Sequence, residues 1–345
     1  MESSTTGSKS FSWDDVDWRA LRKLRGRFLD FDGEGGAADA ADAHADRSDY
    51  WTSPSALESY DFTFGERIGW KWDAVLAELQ ARGWTPPRGT ALDWGCGTGV
   101  AGRRVVEAWP GAVEKLLLGD RSYGAVQFAL RRAREIFPTT VVALSTAGAG
   151  ADLLIVSHVV NELSPGAMEE LVAAMEKAQA VLWVEPGTFL ASRKVISVRE
   201  RLRGKFAVIA PCTHALECGM LAAGNERHWC HHFAKVPGYA HLDSGWSRFA
   251  ATLEIDLGTL PYSWLVLDRR AGAVRPEAEW SRLIGVPRFY KGYAKILDCQ
   301  GDGVRELTLQ KRDAPELFKS LKKEPGSLYR WVREGEKIRD GKRAC

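Results

Sequence analysis

Short apolar runs alternate with amphipathic segments through the middle of the chain. Thr90–Trp94, Lys115–Leu118 and Val141–Leu144 have the length of strands, and apolar residues at helical spacing follow the first two. The runs Asp152–Ser157 and Ala180–Val184 are apolar almost throughout, as is typical of strands buried on both faces. This strand–helix series predicts an α/β fold with a doubly wound parallel sheet.

The patterns on either side of this series divide the chain into three parts. We expect residues 1–85 to form an N-terminal helical region and residues 86–270 to form a Rossmann-like domain. The strand–helix alternation stops after Phe206, and residues 206–235 are expected to form a Cys-rich loop within that domain. Residues 271–345 are then a basic C-terminal extension.

Four further segments beyond the Cys-rich loop have recognisable patterns. Tyr262–Leu267 is apolar and is expected to be an antiparallel edge strand of the sheet. Tyr290–Cys299 and Val304–Gln310 are separated by a glycine-containing turn and predict a β-hairpin in the C-terminal extension. Ala314–Lys322 predicts a short basic helix.

A glycine-rich segment, Asp-Trp-Gly-Cys-Gly-Thr-Gly, connects the first strand of the series to its helix. Glycines at 95, 97 and 99 let the backbone turn sharply and approach a ligand, and the helix N-terminus offers free N–H groups. Asp120 ends the next strand, where a carboxylate can accept hydrogen bonds from both hydroxyls of a ribose.

The spacing of Asp120 suits NAD as well as S-adenosylmethionine. A dinucleotide loop reads G-x-G-x-x-G, whereas this loop reads G-x-G-x-G after an aspartate and resembles motif I of class I methyltransferases. We therefore favour S-adenosylmethionine over a dinucleotide, and over a glycine-rich turn that binds nothing. The predicted cofactor-binding residues are Asp93, Gly95, Gly97, Gly99, Asp120 and His158.

Catalytic residues are harder to identify. The segment after the strand Asp152–Ser157 contains His158 and Glu162, which could act as a base toward oxygen or nitrogen. It contains neither the Asn/Asp-Pro-Pro-aromatic run of amino-group methylation nor a cysteine nucleophile. We favour a role for His158 and Glu162 in lining the cofactor pocket over a role in proton transfer. The sequence therefore supports cofactor binding better than methyl transfer.

Three of the six cysteines, Cys212, Cys218 and Cys230, lie within nineteen residues. In a chain without a secretory signal this clustering indicates a metal rather than disulfides. The spacing is looser than the C-x₂₋₄-C of zinc sites, and Cys299 is the natural fourth thiolate of an iron–sulfur cluster. Cys345 is a weaker candidate because termini fray. The alternatives are three reduced thiols without metal, or a zinc site completed by one of His214, His228, His231 and His232.

Charge is distributed unevenly along a chain whose net charge is +2. Residues 1–60 hold seven Lys/Arg against twelve Asp/Glu, and residues 281–345 hold sixteen against nine, a net of +7. The basic end indicates a polyanionic partner, although a solvated surface explains the charge equally well. No run of 18 apolar residues predicts a membrane span. The acidic N-terminal residues are unlike a signal or transit peptide, so we expect a bacterial cytoplasmic protein.

Several motifs together resemble a known family. After the glycine loop come Ser-His-Val-Val-Asn-Glu-Leu at 157–163, Val-Glu-Pro-Gly-Thr at 184–188, Ala-Pro-Cys-Thr-His at 210–214 and Trp-Cys-His at 229–231. In this order they resemble the Rsm-type methyltransferase-like assembly factors of the small ribosomal subunit, known from mitochondria and with bacterial members. The resemblance covers roughly residues 50–325.

The resemblance implies a class I methyltransferase fold that binds S-adenosylmethionine. It also implies a [4Fe–4S] cluster on Cys212, Cys218, Cys230 and Cys299, and binding to the small ribosomal subunit and its RNA during assembly. The gap from Cys218 to Cys230 is longer than in the family. The rival functions are an active methyltransferase on ribosomal RNA or another substrate, and a zinc-stabilised RNA-binding factor without catalysis. The sequence does not indicate an oligomeric state.

Overall fold

The computed structural model describes residues 11–29, 51, 53–272 and 279–343, so Cys345 lies outside the described residues. The helices within these ranges are α1 Trp18–Leu29, α2 Pro54–Tyr60, α3 Glu66–Ala81, α4 Val100–Ala108, α5 Tyr123–Ile136, α6 Pro165–Lys177, α7 Phe189–Leu202, α8 Gly238–Leu242, α9 Ser244–Leu253 and α10 Pro315–Lys323. None of these described helices is both long and apolar enough to cross a membrane.

Thirteen strands occur in the same ranges. They are β1 Gly89–Trp94, β2 Val113–Gly119, β3 Val141–Leu144, β4 Leu153–Ser157, β5 Ala180–Pro186, β6 Ala207–Ala210, β7 His232–Phe233, β8 Pro261–Asp268, β9 Ser281–Phe289, β10 Tyr293–Gln300, β11 Gly303–Gln310, β12 Leu328–Glu334 and β13 Lys337–Arg343. The first eight strands form one sheet and the last five form a closed barrel.

The sheet has the order β3-β2-β1-β4-β5-β8-β6, with β7 paired to β8. Strands β1 to β5 pair in parallel, which confirms the predicted α/β series. The prediction of an edge position for the antiparallel strand was wrong, because β8 lies between β5 and β6 and pairs with both. Strand β6 has only four residues, too few to give a clear pattern in the sequence.

Side chains of β5 show why the central strands are apolar on both faces. Leu182 and Val184 belong to the hydrophobic core that includes side chains of α3, α4 and α5. Val181 and Trp183 point the other way, into a second core with α6 and α7. Since successive side chains of a strand alternate between faces, a sheet covered by helices on both sides requires a continuous apolar run.

The C-terminal part is a closed barrel with the strand order β10-β11-β13-β12-β9. The predicted hairpin is present as β10 and β11, with Tyr293 opposite Gln310 and Gln300 opposite Gly303. The prediction of a simple hairpin extension was incomplete, because β9, β12 and β13 close the sheet around it. Strand β13 consists of seven mostly charged or small residues, of which only Ile338 is buried. Its sequence therefore has no apolar pattern that predicts a strand.

A buried ion network joins the barrel to the sheet domain. Arg282 of β9 donates to Glu78 of α3, with 3.0 Å between Nη1 and Oε2, and Arg82 lies 2.6 Å from the same carboxylate. Ser327 also donates to Glu78, and Arg282 donates to the carbonyl of Pro211. Burial is the largest single influence and would raise the pKa of Glu78, but the charge and hydrogen bond of Arg282, together with the charge of Arg82, outweigh it and hold the pKa at about 2.

We predict that Glu78→Gln lowers the free energy of unfolding by about 3–5 kcal/mol at neutral pH, because it leaves two buried guanidinium groups without a counter-charge. Urea unfolding measures this change. The control Glu306→Gln removes the half-exposed partner of Arg288 and should cost less than about 1 kcal/mol. Equal effects of the two substitutions would contradict the assigned role of Glu78.

The same pair predicts a pH dependence. The pKa of Glu78 is lowered on folding, so its contribution to stability is complete above its ordinary pKa of 4.5 and is lost as the pH falls toward about 2. Unfolding free energies of the wild type should therefore decline across this window. The Glu78→Gln variant should lack this part of the decline.

Candidate functional site

The glycine loop after β1 has a backbone conformation that residues with a side chain rarely adopt. Gly95, Gly97 and Gly99 have φ values of +69°, +51° and +79°. A Cβ atom on Gly95 would lie 2.6 Å from Val159, whereas one on Gly97 would meet open space. The loop therefore approaches the turn after β4 closely and presents bare backbone at Gly97.

Asp93 supports the loop from behind. Its side chain is completely buried, and Oδ2 accepts a hydrogen bond of 2.9 Å from the backbone N–H of Gly102 in α4. Burial raises the pKa of Asp93 to about 7. A cavity adjoins the loop, and neither Asp93 nor Gly99 lines it. The role of both residues is therefore to hold the conformation of the loop.

Asp120 follows β2 at the edge of the sheet where the glycine loop lies. Its Oδ2 accepts from the N–H of Gly97 and its Oδ1 from the N–H of Ser122, both at 2.9 Å. The carboxylate is thereby fixed beside the loop. This is the position from which an acidic residue binds ribose hydroxyls in doubly wound folds.

A cavity of about 1160 Å³ opens at the carboxyl ends of β1, β2, β4 and β5. Of the predicted site residues it brings together Gly95, Gly97, Asp120, His158 and Glu162. Ligands of open α/β sheets bind at this edge, outside the carboxyl ends of the strands. The cavity can thus hold a nucleoside-containing cofactor together with part of a second molecule.

His158 begins the turn after β4 with a φ of +55°, which is unusual for a residue with a side chain. Its backbone N–H donates to the carbonyl of Val184, at 2.9 Å. Burial lowers the pKa of the imidazole well below its ordinary value, so the ring is neutral. Its Nε2 is buried and has no hydrogen-bond partner among the described residues.

Glu185 is a cavity residue to which the sequence analysis gave no role. Its buried Oε1 accepts three hydrogen bonds, from the N–H groups of Val159 and Val160 at 3.1 and 3.2 Å and from Trp183 Nε1 at 2.7 Å. Burial raises its pKa to about 7, and its Oε2 has no hydrogen-bond partner among the described residues. The side chain holds the turn that begins at His158. Its position as the one charged residue of an otherwise apolar strand, in Val-Glu-Pro, was the only signal in the sequence.

Glu162 lies at the more exposed side of the cavity. Its carboxylate forms an ion pair of 3.0 Å with Arg121, and both side chains are partly exposed. Because the carboxylate is already engaged by a guanidinium, we favour a binding role for Glu162 over that of a general base.

The four predicted metal ligands converge between the sheet domain and the barrel. Cys218, Cys230 and Cys299 belong to one hydrophobic cluster with Ile196 and Ile284. Cys212 is close enough to raise the pKa of each of these three thiols, although burial is the larger cause. Four thiols from two separate segments of the chain, the Cys-rich loop and β10, therefore share one small, poorly solvated region.

Charged and imidazole groups surround these thiols. Arg199 of α7 donates through Nε to Cys212 Sγ at 3.2 Å. The Nε2 atoms of His214 and His232 each lie 3.7 Å from a thiol, that of Cys299 and Cys230 respectively. His231 stacks on Trp229 instead, with ring centroids 4.6 Å apart. Of the predicted alternative ligands, His214 and His232 are therefore the ones placed at the thiols.

No three His, Cys, Asp or Glu side chains in the described part of the chain are arranged as a site for a single metal ion. The predicted Cys-rich metal-binding insertion is therefore not shown: the thiols converge, but the described residues form no metal site.

A parallel series of five strands followed by the antiparallel strand β8, a glycine loop after β1 and an acidic residue after β2 define a class I methyltransferase-like fold. The sequence also matches the family profile described as mitochondrial small ribosomal subunit Rsm22, over residues 72–334. The chain belongs to the Rsm22 family.

Solved structures with detectable likeness are distant. A proposed RNA methyltransferase from Pyrococcus horikoshii is 12% identical, covers 68% of this chain and 96% of its own, and has a TM-score of 0.39. Magnesium protoporphyrin IX methyltransferase from Synechocystis, with bound S-adenosylhomocysteine, is 14% identical. The match covers 74% of this chain and 100% of that protein's chain, with a TM-score of 0.36. A search of curated proteins finds no sequence match.

Proposed function

We propose that this protein binds S-adenosylmethionine in the cavity beside the glycine loop, holds a [4Fe–4S] cluster on four cysteines, and acts on the small ribosomal subunit through its RNA. The observation that carries the proposal is the fixed Asp120 carboxylate beside the open backbone of Gly97, at the carboxyl ends of the strands. A bacterial cytoplasm remains the compartment that we expect.

The cavity supplies what each part of the cofactor requires. Asp120 would accept hydrogen bonds from the ribose, and the backbone at Gly97 leaves room for close approach. Free N–H groups at the start of α4 suit the carboxylate of the methionine part. Bound in this way, the cofactor supplies an activated methyl group.

Residues at the cysteines fit an iron–sulfur cluster. Burial raises the pKa of Cys218 to about 11 and raises that of Cys299 well above its ordinary value, so without bound metal these two thiols stay protonated despite the charge of Arg199. Bound iron would supply that charge and convert them to thiolates. Cys212, Cys218, Cys230 and Cys299 would hold the cluster, which adds a cross-link between segments and a centre able to take up one electron.

The ribosomal partner follows from the family and from charge. The Rsm22 profile is named for the mitochondrial small ribosomal subunit, and the excess of seven positive charges over residues 281–345 suits an RNA backbone. The barrel formed by this segment lies beside the cysteines. RNA contact and metal binding would therefore occur on the same side of the molecule.

Asp120→Ala should weaken S-adenosylmethionine binding at least about tenfold, because two charge-assisted hydrogen bonds to the ribose are lost. Isothermal titration calorimetry measures this, with NAD as the competing ligand. Glu114→Ala, on an exposed residue near the other end of β2, is the matched control and should bind as the wild type does. Unchanged affinity in Asp120→Ala, or tighter binding of NAD, would rule out this cofactor site.

Protein purified without oxygen should be brown and contain about four irons per chain. Cys299→Ser should lose that iron, whereas Cys96→Ser should retain it because Cys96 is buried in the glycine loop, away from the other thiols. Iron, sulfide and zinc analysis of both variants measures the outcome. Colourless protein with one zinc per chain would refute the cluster and favour the zinc-stabilised alternative.

An active methyltransferase is the second candidate. It is favoured by two buried and unpartnered polar atoms on residues that line the cavity, His158 Nε2 and Glu185 Oε2. Immature small subunits incubated with radiolabelled cofactor test it. Label transferred to RNA by the wild type, and abolished in His158→Ala although the cofactor still binds, would establish methyl transfer. Absence of label in every cellular RNA would leave the non-catalytic function.

A further inference from the structure

The barrel has the connectivity of an OB-fold. Its first strand, β9, pairs with its second and fourth, β10 and β12, and its third strand, β11, pairs in parallel with its fifth. Helix α10 lies between the third and fourth strands. OB-folds bind oligonucleotides or oligosaccharides on the face of their second and third strands, next to the first–second and fourth–fifth loops.

One half of that face is already occupied. Near the β10–β11 turn, Leu297, Cys299 and Val304 pack with Cys218 and Met220 of the Cys-rich loop. The other half, nearer the β9–β10 loop, is partly exposed at Lys295, Thr308 and Gln310. A ligand on the face of β10 and β11 would therefore lie toward the β9–β10 loop.

Two tyrosines, one in the β9–β10 loop and one at the start of β10, form a flat surface. The rings of Tyr290 and Tyr293 are stacked, with centroids 4.6 Å apart and planes 12° from parallel. They remain 47% and 38% exposed, and the N–H of Tyr290 donates to the carbonyl of Tyr293 at 2.8 Å, which closes the turn between them. A rigid, exposed aromatic pair of this kind is a stacking surface for a base.

Two lysines belong to or adjoin the loop that carries the aromatic pair. Lys291 is exposed between the two tyrosines, and the backbone N–H of Lys311 donates to the carbonyl of Gly292, which brings Lys311 to the same loop. Neither lysine forms an ion pair with a described residue, whereas Arg288 and Lys295 both pair with Glu306. Two lysines are thus available for phosphates beside the stacking surface.

We propose that Tyr290, Tyr293, Lys291 and Lys311 form a binding site for single-stranded RNA on the end of the barrel. A base stacks on an exposed tyrosine ring, and neighbouring phosphates contact the two lysines. The excess of basic residues over residues 281–345 favours a polyanion over a neutral oligosaccharide. Stacking requires an unpaired base, which favours a single strand over a duplex. The choice of RNA rests on the proposed ribosomal function.

The test is fluorescence anisotropy of the full-length chain with a labelled oligouridine of about 12 nucleotides, and with a duplex RNA of the same length. Tyr290→Ala combined with Tyr293→Ala should weaken single-strand binding at least about fivefold. The two Phe substitutions retain the rings and should bind as the wild type does. Val332→Ala, on an exposed residue of β12, is the control for the barrel surface.

A second double variant tests the lysines and leaves the tyrosine rings unchanged. Lys291→Ala with Lys311→Ala should lower the slope of log affinity against log salt by about 1 to 2, because two phosphate contacts are removed. Thermal melting and S-adenosylmethionine binding should match the wild type in every variant, since these exposed side chains lie outside the cavity.

Full single-strand affinity in the double Tyr→Ala variant, or preference of the wild type for duplex RNA, would overturn the proposed site. If the wild type binds small-subunit RNA and the variants bind it equally, this inference fails and the proposed function survives. If the wild type binds no RNA of any kind, both fail. Loss of single-strand binding with cofactor and iron content unchanged supports the site independently of methyl transfer.

Discussion

The buried pair of Glu78 and Arg282 is the constraint on which the arrangement of the two parts of this protein depends. Two charges removed from water must be paired, so β9 and α3 have one mutual position in which both are satisfied. The same guanidinium donates to the carbonyl of Pro211, the residue before Cys212. The Arg282 side chain thus contacts the sheet domain and the start of the Cys-rich loop from its position in the barrel.

The thiols follow from that arrangement. Strands β6 and β7 both pair with β8, so the sheet fixes the ends of the segment that carries Cys212, Cys218 and Cys230. The fourth thiol, Cys299, comes from β10, whose neighbour β9 is held by Arg282. The convergence of thiols is therefore a property of how the two parts are joined. A cluster bound there would reinforce a junction that the ion pair has already set.

The features predicted from the sequence are those whose signal is local. Asp93, Asp120 and the strands β4 and β5 are each recognisable within a few residues, because a glycine turn or a strand buried on both faces leaves a short, distinctive pattern. The barrel is different. Its strands have one polar face or are rich in charge, so the sequence predicted only the hairpin of β10 and β11. In the sheet, β8 was placed at the edge because the four residues of β6 are too few to predict a strand. Glu78 and Arg282 are 204 residues apart, and no local pattern relates them.

Strand β10 connects the two sites proposed for the barrel. Cys299 lies near one end and Tyr293 at the other, six residues or about 20 Å along an extended strand. The half of the face at Cys299 is covered by the Cys-rich loop, and the half at Tyr293 is open. Leu297 and Val304 pack against Cys218 and Met220, so the part of this face that is open to a single strand ends where the Cys-rich loop covers β10 and β11. The position of that loop on the barrel therefore limits how far along β10 an RNA can extend.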